Sequence, residues 1–409
     1  MRILLIHRWF WPDAPPYASM LRSIGRQLVA DGHEVTVLTA QPSYNPATKA
    51  EKRPAVETLD GMTVRRAWLF PESKRNYPLR ALNMLLFMAA VRRTIRKARG
   101  AEAYGAVMAS TMPPVMVAGT ARRAAGKTGA AFYYHMMDIY PEIALVSGMK
   151  KEGWLTRWLA RIDARTCQQA RKVIVLSADM RDAIAARGLD VGNIEIQNNF
   201  RLESFQDQEP APLPESLQRP EGSFRLLFAG NLGRFQGLEQ VLEAMHAVHT
   251  DLPQLRLDFL GEGHGRQRLE EQAGDLLGKQ VFFHGYLPIE QAAQMVDTAD
   301  LSLVSLQQDI IRYAYPSKTM TCLAEGSPLL AMVEEDSELA RMVREEQVGY
   351  VAPQNNPQAL ADVLRTAAAA SEESRREQGQ RAKALAERAF TAEAALPFWK
   401  RLFSATTTE

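Results

Sequence analysis

The sequence predicts an α/β chain built as two doubly wound parallel sheets, one following the other. Three observations carry this. Apolar runs of strand length alternate with amphipathic helical stretches from the first residues onward. The rhythm breaks once, at QDQEPAPLPESLQRPEGS (206–223), a Pro-, Glu- and Gln-rich stretch with neither period. It then restarts. Such alternation predicts βαβ units and parallel sheets. The chain has 409 residues, two to three domains' worth.

In the first half, RILLI (2–6) is a strand, ASMLRSIGRQLVADG (18–32) an amphipathic helix stopped by Gly32, and HEVTVLTA (33–40) the next strand. Further strands are predicted at 62–68, 105–110, 130–136 and 172–177. After the 206–223 linker, strands are predicted at 224–230, 255–261, 281–286, 301–306 and 327–333. Helices are predicted to begin at Leu238, Arg266, Ile289 and Lys318. The division expected is 1–205, a linker 206–223, 224–390, and a final helix in 391–409 (AEAALPFWKRLF, 392–403) that returns to the first domain. Two such halves would leave a cleft where the carboxyl ends of both sheets face each other.

The composition is ordinary for a protein with real cores: 46% hydrophobic and 23% charged. Two distant cysteines, Cys167 and Cys322, argue against a disulfide framework and fit a reducing compartment. The N-terminus has no secretory signal pattern, and no run of apolar residues reaches membrane-spanning length. A net charge of +2 hides an asymmetry. Residues 1–205 hold 30 Lys+Arg and 17 Asp+Glu, a balance of +13; the remainder holds 19 and 30, a balance of −11. A basic half suggests an anionic partner, such as a membrane surface, phospholipid or nucleic acid. No nucleic-acid motif accompanies the charge, so a nucleic-acid partner is not expected.

YAYPSKTMTCLAEGSPLLA (313–331) raises a question of charge. It reads as a loop, Ser317 as a helix cap, a short helix, Gly326 as its stop, and a buried strand. Helix starts favour acids, yet Lys318 stands in the first turn. An anion held there would explain it. The loop AGNLGRFQG (229–237) places Gly230, Asn231, Gly233 and Gly237 before a helix, with Arg234 as a fixed charge. A plain βα turn also likes glycine. GEGHGRQRLEE (261–271), with Gly261 and Gly263, and HGYLP (284–288), with Tyr286 and Leu287, follow the next two strands. Several loops of this kind on successive strand ends point to one anion site more strongly than any one of them. His246 and His249 are spaced i, i+3 but read as a solvated helix face with no third ligand, and no metal is expected.

These stretches, with ADLSLVSL (299–306) and WFWPDAPPYASMLRSIGRQLVADGHEVTVLTAQPSY (9–44), occur in the order seen in family 4 retaining glycosyltransferases of the GT-B fold, which the chain resembles over nearly its whole length. MMDIYPEIALVSG (136–148) resembles the subgroup similar to bacterial fucosamine transferases of O-antigen, capsule and exopolysaccharide biosynthesis. The resemblance implies two Rossmann-like domains. It implies a nucleoside diphosphate sugar, UDP-linked by preference, in the second half as donor substrate, with no cofactor. Its diphosphate would lie against the 230–237 loop, Ser317, Lys318 and Thr321, and its base near Tyr286, Leu287 and the 261–265 loop. Lys318 and Arg234 would neutralise the departing diphosphate. A lipid-linked or glycan acceptor would bind the first half, at the cytoplasmic membrane face. A front-side displacement needs no enzyme nucleophile, and no D-x-D metal motif occurs in the chain.

The chain departs from the pattern in places. Gln236 stands where many relatives have Lys, Tyr313 and Thr321 where many have two glutamates, and Pro15 and Pro16 where relatives have glycines. Glu325, one turn beyond Thr321, is a candidate replacement for the ribose-holding glutamate.

In the first half, Asp138 and Glu142 straddle IYP after a strand end, and His135 ends that strand. Any of the three could take an acceptor proton or orient the sugar; a cap or a satisfied buried polar group is the alternative. Asn198 falls where the family has a loop near its hinge. Trp9, Phe10 and Trp11 could stack on sugar, line a lipid groove or pack in the core. Residues 74–99 hold eight basic residues and no acid around the apolar ALNMLLFMAAV (81–91), and predict contact with an anionic membrane. The rival functions are a nucleotide-sugar epimerase or hydrolase on the same fold, and a non-catalytic scaffold subunit.

Overall fold

A computed structural model of the chain describes residues 1–13, 16–42, 52–71, 76–201 and 213–404. It divides into two units: Met1–Asn198 with the chain from Ala395 onward, and Asn199–Ala394. The boundary expected at 205 and the linker up to 212 lie outside the described residues.

The first unit is built on eight strands: β1 (Arg2–Ile6), β2 (Glu34–Ala40), β3 (Val56–Leu59), β4 (Met62–Ala67), β5 (Ala106–Ser110), β6 (Ala131–His135), β7 (Lys172–Val175) and β8 (Ile194–Ile196). Their order is β3-β4-β2-β1-β5-β6-β7-β8, parallel throughout except for the β3–β4 hairpin. β1 is central, and its Ile3, Leu4 and Leu5 are fully buried, as expected for a strand covered on both faces. Each such side chain contributes about 1.5–3 kcal/mol by its burial. Helices α1 (Pro16–Ala30), α2 (Tyr77–Lys97), α3 (Met116–Thr128), α4 (Glu142–Val146), α5 (Trp154–Gln168) and α6 (Ala178–Ala185) connect the strands. Strand order reverses between β1 and β5, so a crevice opens at their carboxyl ends.

The second unit has six parallel strands: β9 (Phe224–Ala229), β10 (Leu255–Leu260), β11 (Val281–Gly285), β12 (Leu301–Ser305), β13 (Leu329–Met332) and β14 (Gly349–Ala352), ordered β11-β10-β9-β12-β13-β14. Between them run α7 (Leu238–Val248), α8 (Arg266–Ala273), α9 (Ile289–Asp297), α10 (Lys318–Ala324) and α11 (Glu338–Glu345). The helices α12 (Pro357–Ala369), α13 (Glu372–Ala389) and α14 (Ala392–Ser404) follow β14. The order reverses between β9 and β12, which puts the 230–237 loop at this sheet's switch point. Trp399 and Phe403 of α14 are buried in the first unit, where Phe403 packs 4.8 Å from Tyr133.

Two expectations need correction. Ser317 is not a side-chain cap: its backbone is already helical (φ −59°, ψ −24°) and its hydroxyl caps nothing. The entry turn is made one residue earlier, where Thr319 N–H donates to the Pro316 carbonyl. The strands β3, β8 and β14 were not expected; each has three or four residues, too few to show a period.

Candidate functional site

In the second unit the loops after β9, β10 and β11 lock together through their backbones. Gly230 N–H donates to Leu260 O, Leu232 N–H to Glu262 O, Gly265 N–H to Leu232 O, and Gly261 N–H to Gly285 O. Glycine is required at two of these points by proximity. A Cβ on Gly261 would sit 2.1 Å from the Gly230 carbonyl oxygen, and one on Gly263 would sit 2.1 Å from the Leu232 carbonyl oxygen. Gly261 and Gly263, expected as binding residues, thus hold the first loop in shape.

Lys318 reaches that loop from the start of α10. Its Nζ lies 3.6 Å from the centroid of the Phe228 ring and 3.2 Å from where a Cβ on Gly230 would be. The residue as a whole is half-buried, but Nζ is enclosed and has no hydrogen-bond partner. Burial pulls its pKa down to about 7. An ammonium beside an aromatic face and bare backbone, with no carboxylate, is a charge without its counterion. Two more buried polar atoms, one on α10 and one in the 230–237 loop, lack partners: Thr319 Oγ1 and Gln236 Oε1. Sequence reading missed Thr319, which carries no motif signal.

The remaining candidates of this unit spread around the loops. Asn231 and Arg234 are exposed, and no carboxylate of the described residues pairs with Arg234. Gly233 and Thr321 are half-buried, as are Leu287 and Tyr313; Tyr286 is 76% exposed just after β11. Glu325 is not spare: its carboxylate accepts from Arg201 Nη2 at 2.5 Å. His284 also has an internal duty, since its Nε2 meets the fully buried Asp258 carboxylate at 2.6 Å. Arg256 and Arg225 reach the same carboxylate.

In the first unit, the carboxyl ends of β1, β5 and β6 gather a polar cluster that sequence reading saw only in part. His7 Nδ1 meets Ser110 Oγ at 2.5 Å, and Tyr17 OH meets His135 Nδ1 at 2.9 Å. The His7 and Tyr17 rings stack edge to face at 4.6 Å, and Trp399 lies 4.7 Å from His135. Burial pushes both histidines down to about 3, so they are neutral, and raises the Tyr17 phenol. His135 Nε2 is buried without a partner. Burial also pushes the Asp138 carboxyl up to about 6.

Glu142 is drawn into a separate network. Arg187 binds its carboxylate at 2.5 Å, the buried Asp163 at 2.7 Å and the Tyr140 carbonyl at 3.3 Å, while Tyr134 OH donates to Asp163. This network ties 140–142 to the sheet and so fixes the stretch that carries Asp138. Phe10 is fully buried, and Trp11 lies within reach of the Arg22 and Arg53 guanidinium groups. His249 Nδ1 and His246 Nε2 meet backbone carbonyls, and no group of side chains among the described residues is arranged to hold a metal.

The apolar centre of α2 is divided. Phe87, Val91 and Ile95 are in the core, while Leu82 and Leu85 are exposed and Arg92, Arg93 and Arg96 face solvent. Lys74 and Arg75 lie outside the described residues. No helix of the described residues is long and apolar enough to cross a membrane.

Comparison with known proteins agrees with this layout. Residues 17–199 match the glycosyl transferase 4-like domain, and residues 211–385 match glycosyl transferases group 1. WbjE of Pseudomonas aeruginosa, named as a glycosyltransferase, is 26% identical over 78% of this chain and 79% of its own. WcaI of Escherichia coli, whose name assigns it to colanic acid biosynthesis, is 23% identical over 84% of this chain and 86% of its own. Among solved structures, Anabaena HepE in complex with UDP-glucose superposes with a TM-score of 0.69 at 15% identity, covering 99% of this chain and 100% of that one. The two halves are a glycosyl transferase 4-like domain and a glycosyl transferases group 1 domain, and the chain is a glycosyltransferase of the GT-B fold.

Proposed function

We propose that the chain moves a sugar from a UDP-linked donor, with retention, to a lipid-linked or glycan acceptor in cell-surface polysaccharide assembly. The observation that carries this reading is the enclosed, unpartnered Lys318 ammonium beside the bare backbone at Gly230. A donor diphosphate supplies the missing counterion. Arg234, exposed on the same loop, closes on it from the solvent side. As the bond from the sugar's anomeric carbon to the diphosphate oxygen breaks, charge grows on that oxygen, and preorganised cations lower the barrier. The acceptor hydroxyl bonds to the anomeric carbon from the same face and gives up its proton, with Asp138 as its acceptor or as the group that orients the sugar. His135 Nε2, buried and unsatisfied, is the hydrogen-bonding partner for a sugar hydroxyl. Tyr286, exposed beside the loops, offers a ring for the base.

UDP and UDP-glucose in the HepE complexes, and the colanic acid assignment of WcaI, support the choice of donor and pathway class. The basic first half supports work at the cytoplasmic face of an anionic membrane, with Arg92, Arg93 and Arg96 of α2 among the contacts. The test is calorimetric titration with UDP, GDP and ADP without added metal. Selective binding of UDP is expected. Binding of none of the three would overturn the reading and favour the scaffold alternative, for which Tyr313 and Thr321 in place of glutamates speak.

A further inference from the structure

The first unit carries an apolar surface that neither the transfer site nor the α2 contact uses. It lies at the α4–α5 turn and the first turns of α5. Trp154 is 78% exposed, and Leu155, Trp158, Met149 and Val146 are all exposed around it. A solvent-facing tryptophan at a helix start is costly to leave uncovered, and isolated exposed apolar residues do not usually come in such a set.

The helix is held so that this face cannot turn inward. Thr156, Ile162, Asp163, Thr166 and Cys167 form the buried side of α5. Gly119 of α3 lets Ile162 come so close that a Cβ there would lie 3.1 Å from Ile162 Cγ2. Trp154, Trp158, Arg161 and Arg165, at helical spacing, are left on or toward the opposite side.

The charges around the patch select its occupant. Lys150, Lys151, Arg157 and Arg161 are exposed, none pairs with a carboxylate of the described residues, and Glu152 is the one acid between Met149 and Arg161. A second basic stretch lies past the other end of α5, beside Gln169. Arg122, Arg123 and Lys127 of α3, with Arg92 and Arg96 of α2, line a groove of about 470 Å³. A second copy of this chain pairing through the patch would bring like charges face to face. An anionic lipid surface would satisfy both parts, with tryptophan at headgroup depth and cations at the phosphates.

We propose that the α4–α5 turn and the start of α5 form an aromatic wedge that inserts into the interface of an anionic bilayer, making α5 rather than α2 the element that anchors this unit. This rests on the membrane reading above and gives it a definite anchor.

The test uses the full chain with vesicles of equal parts phosphatidylglycerol and phosphatidylcholine, some with bromine-labelled acyl chains. The wild type is expected to bind, to lose binding at high salt, and to show tryptophan quenching by the brominated tails. Trp154→Gln with Trp158→Gln should weaken binding by about tenfold or more and abolish most of the quenching, with an unchanged melting temperature. Arg92→Glu, Arg93→Glu and Arg96→Glu together should weaken binding while leaving the tryptophan quenching of the bound fraction in place; loss of that quenching would put the anchor on α2 and overturn the wedge. Unweakened binding by the tryptophan variant would overturn the wedge while the membrane reading stands. No binding of wild type to any vesicle would overturn both. A wild-type dimer that the tryptophan substitutions convert to monomer would show the patch to be an interface between copies, and would also overturn it.

Discussion

Lys318→Met should move binding and stability in opposite directions. The enclosed ammonium has no partner, and its pKa falls to about 7. An unfolded lysine keeps its proton to about pH 10.4, so between about 7 and 10 the unfolded chain binds more protons than the folded one. Stability therefore rises with pH across that window, and below about 7 the folded state bears the full cost of the enclosed charge. Each pKa unit is worth about 1.4 kcal/mol; discounted for a half-buried stem, the cost is on the order of 3 kcal/mol. Methionine fills a similar volume without charge, so the variant should gain about 1–3 kcal/mol at neutral pH in a urea titration. UDP binding should weaken by about 10- to 100-fold, the loss of one charge-assisted contact. The wild type should also draw in a proton as it binds. At about pH 8 the free amine is mostly neutral, and an anion beside it restores the charge, so calorimetry in buffers of different ionisation heat should report uptake of about 0.9 proton. Wild-type UDP affinity in the variant, or no proton uptake by the wild type at that pH, would refute the placement of the diphosphate.

Four further outcomes follow from packing and charge. Gly261→Ala forces a methyl group to within 2.1 Å of the Gly230 carbonyl at a backbone φ of +123° and should cost about 3 kcal/mol or more in chemical denaturation. Gly233→Ala, whose methyl would meet the movable Asn231 side chain, should fold nearly as well as wild type. Arg187→Ala leaves the buried Asp163 without its cation and should cost about 3–5 kcal/mol, part of which Asp163→Asn in the same chain should restore. Asp138 holds its proton to about pH 6 in the folded state, but to only about 4 in the unfolded state. Its stabilising contribution is therefore present below about pH 4 and lost as pH rises through 6, and Asp138→Asn should flatten that part of a melting-temperature profile against pH.

What the sequence made legible was local, and what it hid was not. The strand ends, the glycine loops and the misplaced-looking Lys318 each rest on a few consecutive residues, and the structure brings Lys318 to the Gly230 loop. Which glycines touch a ligand and which touch each other cannot be read from spacing, because Gly261 meets Gly230 only once β9 and β10 pair. The same holds for charge. Glu142 looked available until Arg187, 45 residues on, closed over it, and Glu325 until Arg201 did. The His7–Ser110 and Tyr17–His135 contacts span 103 and 118 residues and leave no mark on any one segment. Ser317 misled for a different reason: serine before a helix usually caps it, but here Pro316 already supplies the turn.

The buried ionisable groups of the two candidate sites share one physical state. Burial drives Lys318, His7 and His135 toward loss of a proton and Asp138 toward keeping one, and in every case burial is the largest cause. Each is thereby moved toward neutrality in the free protein, which avoids the cost of an enclosed unpaired charge. The counterpart is that charge must be restored when the substrates arrive: the diphosphate by protonating Lys318, the acceptor by ionising Asp138. In the free enzyme, the proposed active form has Asp138 ionised, above about pH 6, and Lys318 protonated, below about 7. The profile of kcat/KM against pH should therefore be a narrow bell between those values. Asp138→Asn removes its acid limb, and a limb that persists in that variant would exclude Asp138 as the group that ionises.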